Sequence, residues 1–294
     1  LEVTTPYYWN IAPNRDVIFA PHYITRRGLM LGGSGRYLGE DYTGQTRFEV
    51  IDNDSQTNSS RWAVSSRHRQ NLGEGLTFTS NLNAASDDNY ARDFPFSTVW
   101  AYQPGISRRL LARDVRIDYA DQYSRATGRL SEFQVLQDPN LNARILPPYS
   151  RLPQLTYNYF DDNGAGLSWT MGSEFTRFYH AFQPSAGMPR QGDRMVLNPR
   201  LTYNYQTPGF YLRPSVSVNG SVYSLDDTAN PTMSAPTRVL PTVSLDSGLI
   251  FERDASLFGN AAVQTIEPRM FYTYTPYKRQ DSVPVSYTHL TLPT

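Results

Sequence analysis

The 294 residues contain no cysteine and no excess of charge of one sign. Without cysteine, this stretch can form neither a disulfide nor a catalytic thiolate. Lys plus Arg and Asp plus Glu both number 27, so no net charge attracts the chain to nucleic acid, and we expect no nucleic-acid partner. No run approaches ~18 consecutive apolar residues, so the sequence excludes a membrane-spanning helix.

Aromatic residues, in contrast, are plentiful, with 21 Tyr, 14 Phe and 4 Trp. They stand in strand patterns that run along nearly the whole chain. In the stretch "PQLTYNYF" from Pro153, Leu155, Tyr157 and Tyr159 share one face, while Gln154, Thr156 and Asn158 share the other. Related stretches begin at Pro199, Pro214, Pro241 and Pro268. Their irregular spacing indicates a recurring strand pattern and not a solenoid repeat.

We count about fourteen strand candidates from this alternation. They cover roughly residues 2–11, 16–25, 29–38, 45–51, 61–70, 76–86, 111–123, 128–137, 152–160, 166–179, 195–206, 210–224, 238–252 and 263–275. Long connections at 52–60, 87–110, 138–151, 180–194 and 225–237 alternate with short ones at 71–75, 124–127, 161–165, 207–209 and 253–262. If consecutive strands are antiparallel, the long loops emerge at one end and the short turns at the other. This arrangement predicts an all-β, antiparallel transmembrane β-barrel.

A soluble β-sandwich is the alternative fold. Sandwich strands typically have about 5–6 residues, whereas many candidates here reach ten or more, the length a tilted strand needs to cross a bilayer. Aromatic residues also gather at strand ends, where amphipathic rings favour the lipid headgroup level. We therefore prefer the barrel and predict an aromatic belt of Tyr7, Tyr8, Trp9, Tyr157, Tyr159, Tyr203, Tyr205, Tyr272 and Tyr274.

The side chains should divide between the two faces of this sheet. We expect Val17, Phe19, Pro21 and Tyr23 to face outward with Leu155, Tyr157 and Tyr159, and Gln154, Thr156, Asn158, Arg200 and Thr202 to face the lumen. Loop 87–110 should not project freely into solvent as the other loops do, because it contains several large apolar residues: Phe94, Phe96, Val99 and Trp100. We predict that this loop folds inward.

Several motifs resemble one known family. They are "PYYWNIAPNRD" from residue 6, "PHYITRRGLML" from 21, "RYL" at 36–38, "SSRW" at 59–62, "FERD" at 251–254 and "QTIEPRMFYTYTPY" at 264–277. Together they are similar to the barrel domain of the LptD family, also called OstA or Imp, which assembles lipopolysaccharide in the Gram-negative outer membrane. The similarity extends over about residues 1–281.

The resemblance implies a function in transport. Members of the family form a large barrel that holds a plug lipoprotein, LptE, and they receive lipopolysaccharide through a periplasmic jellyroll domain from an LptA-like bridge. The barrel opens sideways, and lipopolysaccharide enters the outer leaflet among the outer-membrane lipids. No bond is made or broken, so we expect neither an enzyme nor a cofactor. The alternative function is a diffusion porin or substrate-specific channel.

The resemblance also suggests the extent of the domain. Residues 1–285 are expected to be roughly the first half of the barrel, open as given, with the jellyroll domain and the closing strands outside this stretch. Residues 286–294 do not match the expected continuation, and we predict a non-native or disordered tail.

Two groups of residues are candidates for function. Pro6 and Pro21 lie in the first two strand candidates, where proline weakens pairing, and the resemblance implies that such prolines lie near the lateral gate. Pro13 is better explained by the turn that it makes. Guanidinium groups pair well with phosphate oxygens, which makes lumen-facing arginines candidates for contact with lipopolysaccharide or the plug: Arg61, Arg67, Arg69, Arg116, Arg129 and Arg200. The alternative is that these arginines belong to a hydrated barrel wall on which acidic residues neutralise their charge.

Catalytic and metal sites find little support in the sequence. The four histidines, at 22, 68, 180 and 289, are scattered without ligand spacing. The acidic pairs at 87–88, 161–162 and 226–227 start loops or turns, where Asp supports turn geometry. We therefore predict no catalytic and no metal-binding residue.

Overall fold

The computed structural model describes residues 1–99, 109–137, 145–180, 191–226 and 237–278. These residues form one large antiparallel sheet and a separate two-stranded hairpin. The strands are β1 (Glu2–Thr4), β2 (Tyr7–Ala12), β3 (Arg15–Ile24), β4 (Gly28–Leu38), β5 (Tyr42–Asp54), β6 (Ser59–Gly73), β7 (Leu76–Ala85), β8 (Leu110–Ala120), β9 (Ser124–Val135), β10 (Ser150–Asp162), β11 (Leu167–Tyr179), β12 (Gln191–Tyr203), β13 (Tyr205–Gln206), β14 (Phe210–Asp226), β15 (Thr237–Leu249), β16 (Phe251–Leu257), β17 (Asn260–Ile266) and β18 (Arg269–Tyr274).

Neighbours in the sheet are almost always neighbours in the chain. The order runs from β1 through β3 to β12, then β14, β15 and β18, while β2 also pairs with β3 and β13 with β14. Within the described residues the first strands and β18 do not pair with each other, so the sheet is open. The all-β antiparallel prediction is confirmed, and the open sheet is consistent with a fragment of a barrel.

The pairing register separates an apolar from a polar face, because residues directly opposite each other point to the same side. One cross-strand row contains Trp169, Leu201, Val216, Val243 and Tyr274, all of them exposed. We call their side the apolar face.

The opposite side is the polar face. Arg129, Gln154, Thr176 and Arg194 form one of its cross-strand rows. The register also puts the two residue sets predicted from alternation on opposite faces, with the set of Val17 and Leu155 on the apolar face and that of Gln154 and Arg200 on the polar face.

The antiparallel order also decides where the connections lie. The strands joined across 86–109, 136–149, 180–190 and 227–236 all meet at one end of the sheet, which we call the long-loop end. The turns at 74–75, 121–123, 163–166 and 207–209 lie at the other, the short-turn end. The predicted sidedness is confirmed by these strand ends. Residues 100–108, 138–144, 181–190, 227–236 and the predicted tail lie outside the described residues.

Four strand candidates are each divided in two, so the structure has more strands than predicted. The breaks fall at 5–6, 204, 250 and 267–268. The prediction of a long connection at 52–60 was wrong, because β5 and β6 extend until only residues 55–58 join them. The short turn predicted at 124–127 is displaced to 121–123, because β9 already begins at Ser124.

The hairpin of β16 and β17 is the largest departure from the predicted strands. The strand pattern predicts a turn at 253–262, but the pairing continues to Leu257 opposite Asn260. The reversal needs just two residues, Phe258 and Gly259, both with positive φ (50° and 82°). Two consecutive residues with positive φ make the tight turn that matches the twist of a hairpin.

Helix is nearly absent from the described residues, where the single α-helix, α1, spans Tyr90–Asp93. None of the described helical segments is long and apolar enough to cross a membrane.

Candidate functional site

The polar face of β4 to β7 is covered by chain from the loop that follows β7. We call residues 86–99 the inner segment. Its side chains Tyr90, Phe94 and Val99 are buried, and so are Met30 and Ile51 on the strands beneath. The register places Met30 and Ile51 in one row of the polar face with Arg61. The prediction that this loop folds inward therefore holds for residues up to 99.

Individual side chains of the loop differ from the expectation. Phe94 and Val99 are buried as predicted, but Phe96 is 82% exposed, so this part of the prediction was wrong. Ser97 and Thr98 turn towards the sheet instead and bind a carboxylate there. Trp100 lies outside the described residues.

A buried ion cluster joins the inner segment to the sheet. Arg61 on β6 donates twice to Asp87 (2.8 Å each), once to Asp93 (2.9 Å) and once to Asp54 (3.0 Å). Arg27 adds contacts with Asp54 (2.5 Å) and Asp93 (3.3 Å). We call these five residues the Arg61 cluster. One guanidinium thus connects strand β6 to two positions of the segment, through bonds that are strong because both partners are charged.

The Arg61 cluster is isolated from water at its centre. The side chains of Arg61 and Asp54 are 2% and 0% exposed. A guanidinium buried to this extent is stable only when carboxylates pair with it, because transfer of an unpaired charge out of water is costly. The Phe94 ring also lies 4.9 Å from the Arg61 guanidinium carbon and 5.0 Å from that of Arg27, within cation–π distance.

Titration of Asp87 reflects this pairing. Burial raises the pKa of its carboxyl, but hydrogen bonds from Arg61 and Ser86 outweigh burial and hold the pKa below its ordinary value. Asp87 also accepts a hydrogen bond from the backbone N–H of Asn89 (3.0 Å), which shapes the first turn of the segment. The carboxyl is therefore ionised at neutral pH and serves both the cluster and the turn.

A second attachment is made by Glu49 on β5. This buried carboxylate accepts hydrogen bonds from the Tyr90 hydroxyl (3.1 Å), the Ser97 hydroxyl (2.7 Å) and both the backbone N–H and the hydroxyl of Thr98 (2.8 and 2.9 Å). All four donors belong to the inner segment. Burial is the main cause that raises the pKa of the Tyr90 phenol, so Tyr90 remains a donor.

A cavity of about 350 Å³ remains between the inner segment and the first strands. Glu2 and His22, 3.3 Å apart, lie on its wall together with Arg27 and Phe94. Within the described residues, no group of three or more acidic or histidine side chains could hold a metal ion.

The sequence did not indicate Glu49, Asp54 or Asp93 as functional residues. The available signal was weak: in "FEVIDND" from Phe48, the acidic residues Glu49, Asp52 and Asp54 stand beside the apolar pair Val50 and Ile51. The prediction that the pair at 87–88 supports a turn is correct for Asp87, which accepts the backbone N–H of Asn89, but it does not include the bonds of Asp87 with Arg61.

The six arginines proposed from sequence all belong to rows of the polar face, but they do not form one site. Arg61 lies in the buried cluster. Arg116 and Arg129 are directly opposite each other on β8 and β9, and each pairs with an Asp at 2.6 Å, Asp118 and Asp114.

The other three differ in their surroundings. Arg67 and Arg69 are exposed and line a groove with Arg36 and Tyr8. Arg200 donates to the Ser215 hydroxyl (3.0 Å). The arginine set is therefore a distributed feature of the polar face and not a single pocket.

The candidate gate prolines lie at the first edge of the sheet. Pro6 falls in the gap between β1 and β2, both of which pair with β3. Next to the gap, the N–H of Thr5 donates to the Pro21 carbonyl (3.0 Å). Pro21 itself lies within β3 opposite Leu31. The ladder is thus interrupted at Pro6, which has no N–H to donate.

The aromatic set is distributed over both faces. Tyr7, Trp9, Tyr157, Tyr203, Tyr205, Tyr272 and Tyr274 are exposed and belong to the apolar face. Tyr159 belongs to the same face but is half-buried, with its ring 6.4 Å from that of Trp169. Tyr8 is opposite Ile18, in the same row as Ser34, and belongs to the polar face, because consecutive residues of a strand point to opposite sides.

Comparison with known proteins identifies the family. The model of the LptD family, LPS transport system D, matches residues 59–290 and so reaches into the predicted tail. The LPS-assembly protein LptD of Cupriavidus necator is 39% identical over 290 residues, which cover 97% of this chain and 34% of the relative. That of Bordetella pertussis is 36% identical over 297 residues, covering 97% of this chain and 36% of the relative.

The chain therefore spans about a third of the length of the curated relatives it matches. A bacterial polysaccharide outer membrane secretin aligns with 94% of this chain at 7% identity, but its TM-score of 0.33 is too low to indicate a common fold. The match to the family model and the identity to several LPS-assembly proteins agree with the motifs at both ends of the chain. The chain belongs to the LptD family.

Proposed function

We propose that the full-length protein inserts lipopolysaccharide into the outer leaflet of the Gram-negative outer membrane, and that residues 1–285 form part of its barrel domain. The observation that carries this proposal is identity of 36–39% to LPS-assembly proteins over almost the whole chain. The open antiparallel sheet with one apolar and one polar face supports it, because a barrel needs lipid on one side and water on the other. The apolar face would then contact lipid, and the belt tyrosines would lie at headgroup level.

Transport of this kind needs partners. We propose a plug lipoprotein resembling LptE in the lumen, and an LptA-like periplasmic bridge that delivers lipopolysaccharide to another domain of the full-length protein. The proposed function requires no chemical step and no cofactor, because lipopolysaccharide is moved and not altered.

The polar face is the proposed path for the hydrophilic part of lipopolysaccharide. Arg67 and Arg69 are the arginines best suited to meet phosphate groups, because both are exposed on that face. Arg116, Arg129 and Arg200 are further candidates, although each already has a hydrogen-bond partner. Arg61 holds three carboxylates, so we propose contact with the chain's own segment for it and not contact with cargo.

Lateral release would occur at the first edge of the sheet. Pro6 supports this, because the edge strand is interrupted at that residue. A missing backbone hydrogen bond between strands costs more free energy in lipid than in water, since lipid offers no other partner for the unpaired backbone groups. Pro21, on the neighbouring strand, contributes its carbonyl beside the interruption.

A complementation experiment tests the proposal. A Gram-negative host is depleted of its own LptD and supplied with the full-length protein, and newly made lipopolysaccharide is labelled at the cell surface. Arrival of lipopolysaccharide, with a small lipoprotein co-purifying in equal amount, is the expected result. Solute flux through purified barrels without any restored lipopolysaccharide would favour the porin alternative instead.

A further inference from the structure

We infer that Arg61 is a positioning residue that locks the inner segment onto the polar face, and that the locked segment is a built-in constriction of the lumen. This inference rests on the barrel fold and not on the identity of the cargo. It therefore remains testable if the proposed function fails.

The path of the inner segment is the first ground. The segment leaves β7 after Ala85, and its residues Ser97 and Thr98 bind Glu49 on β5. Pro95 and Phe96 continue to the cavity that β3 and β4 border. Neighbouring strands lie ~4.8 Å apart, so three strand spacings from β7 to β4 correspond to roughly 14 Å of covered wall. The segment is thus a second layer on the polar face and not a loop that projects from the sheet edge.

The attachment is the second ground. Loops that have few buried contacts open easily, so their backbone amide hydrogens exchange quickly with solvent. Here the Arg61 cluster and Glu49 provide two anchors on the sheet: Asp87 and Asp93 bind Arg61, whereas Tyr90, Ser97 and Thr98 bind Glu49. Between them, Tyr90 and Phe94 pack in the buried cluster of apolar side chains.

Arg61 is at the centre of the Arg61 cluster. It is the residue that contacts all three aspartates, one on the sheet and two on the segment. Removal of the guanidinium would leave these carboxylates close together, with Arg27 to offset Asp54 and Asp93, the part-exposed Arg92 to offset Asp93, and no ion-pair partner among the described residues for Asp87. Like charges in such an environment repel strongly, and the two on the segment can separate by moving away from the sheet.

The experiment uses the purified full-length protein with any partner that co-purifies. Hydrogen exchange of the segment's amides and single-channel conductance in planar bilayers are measured for Arg61→Met and Arg61→Lys. For Arg61→Met we expect exchange on the order of 100- to 1,000-fold faster, the loss that corresponds to breaking a buried ion pair, together with a larger conductance. The exchange rate and conductance of Arg61→Lys should lie between those of the unchanged protein and those of Arg61→Met, because an ammonium keeps the charge but cannot form the paired bonds to Asp87.

Arg67→Met is the matched control. Arg67 is on the same strand and the same face, but it is exposed and lies away from the inner segment. Arg67→Met should leave exchange of the segment's amides unchanged. An effect of Arg67→Met on this exchange as large as that of Arg61→Met would overturn the inference, since loss of any positive charge from the wall would then suffice.

A second variant keeps the test decisive if Arg61→Met does not assemble. The double change Ser97→Ala and Thr98→Val alters the segment alone and removes two hydroxyl donors to Glu49. Faster exchange with larger conductance supports the constriction. Unchanged exchange in the assembled variants would refute the anchoring, and faster exchange without any change in conductance would refute the constriction.

Discussion

Two ion-paired regions of the same polar face differ in what lies above them. Around Arg61, the inner segment covers the sheet, and the side chains of Arg61 and Asp54 are 2% and 0% exposed. At Arg129 on β9 and Asp114 on β8, the paired side chains remain 35% and 21% exposed. Both pairs come from the same strand alternation and use the same residue types. Burial by a second layer of chain, and not residue chemistry, makes one an anchor and leaves the other part of a wetted wall.

The largest expected effect comes from breaking the covered pair at its fully buried carboxylate. Asp54→Ala should lower the free energy of unfolding by about 3–5 kcal/mol, because Arg61 and Arg27 lose a shared buried partner. Urea titration of the full-length protein, followed by the change in gel mobility of the folded barrel, measures it. A loss below about 1 kcal/mol, the usual worth of an exposed pair, would mean that water reaches the cluster.

Acid should release the inner segment before it unfolds the sheet. The folded-state pKa of Asp87 is lowered from 3.8, so its stabilising contribution is complete above the unfolded value and is lost as pH falls through the folded one. We expect pepsin to cut within residues 86–99 below about pH 4, the region of the unfolded carboxyl pKa. Asp87→Asn should be cut at higher pH as well.

The turn at 121–123 is the comparison for this acid effect. Asp121 accepts the backbone N–H groups of Ser124 and Tyr123, and these bonds lower its pKa to about 2. That turn should therefore persist to lower pH than an ordinary carboxylate would allow. Release of the inner segment between pH 5 and 7 would contradict the role of Asp87.

A smaller effect is expected at the uncovered first edge. Pro6→Ala restores a backbone donor where the edge strand is interrupted and should strengthen pairing by roughly 0.5–1.5 kcal/mol, the net worth of one hydrogen bond. Slower lipopolysaccharide export at unchanged barrel level is the expected phenotype, with leakage of large hydrophobic antibiotics. Pro13→Ala, in the turn, is the control. Full export and an intact barrier in the Pro6 variant would leave Pro6 without a role in the gate.

The smallest effect should come from the open wall. Asp114→Ala removes the partner of a part-exposed arginine and should cost about 0.2–1 kcal/mol of unfolding free energy. The same urea titration as for Asp54 measures it, and the contrast between the two variants tests the comparison directly. An equal loss at both positions would show that coverage by the inner segment is not what distinguishes them.

Sequence alone was sufficient for properties that depend on neighbours in the chain. Alternation assigned Leu155 and Gln154 to opposite faces, because successive side chains of a strand point to opposite sides. The end of the sheet at which the long loops lie was equally predictable, since antiparallel neighbours return at alternate ends. The family followed from local motifs such as "PYYWNIAPN", without any structure.

Prediction was weaker where strands continue past an expected turn. Residues 253–262 appeared to be one connection, yet the reversal at Phe258 and Gly259 needs only two residues. Pairing partners across the hairpin stabilise strand residues whose own pattern is ambiguous, and periodicity along one strand does not contain that information.

Residue alternation and composition specified an antiparallel sheet with an apolar and a polar face, and a loop too apolar to remain solvated. Which charged residues that loop contacts depends on how distant segments come together in the fold. Arg61 and Arg67 are indistinguishable by strand, face and residue type, but only Arg61 lies beneath the inner segment. Asp87 and Asp93 reach it from 26 and 32 residues away. The physical reason is that burial and pairing are properties of the space around a side chain, which distant parts of the chain fill.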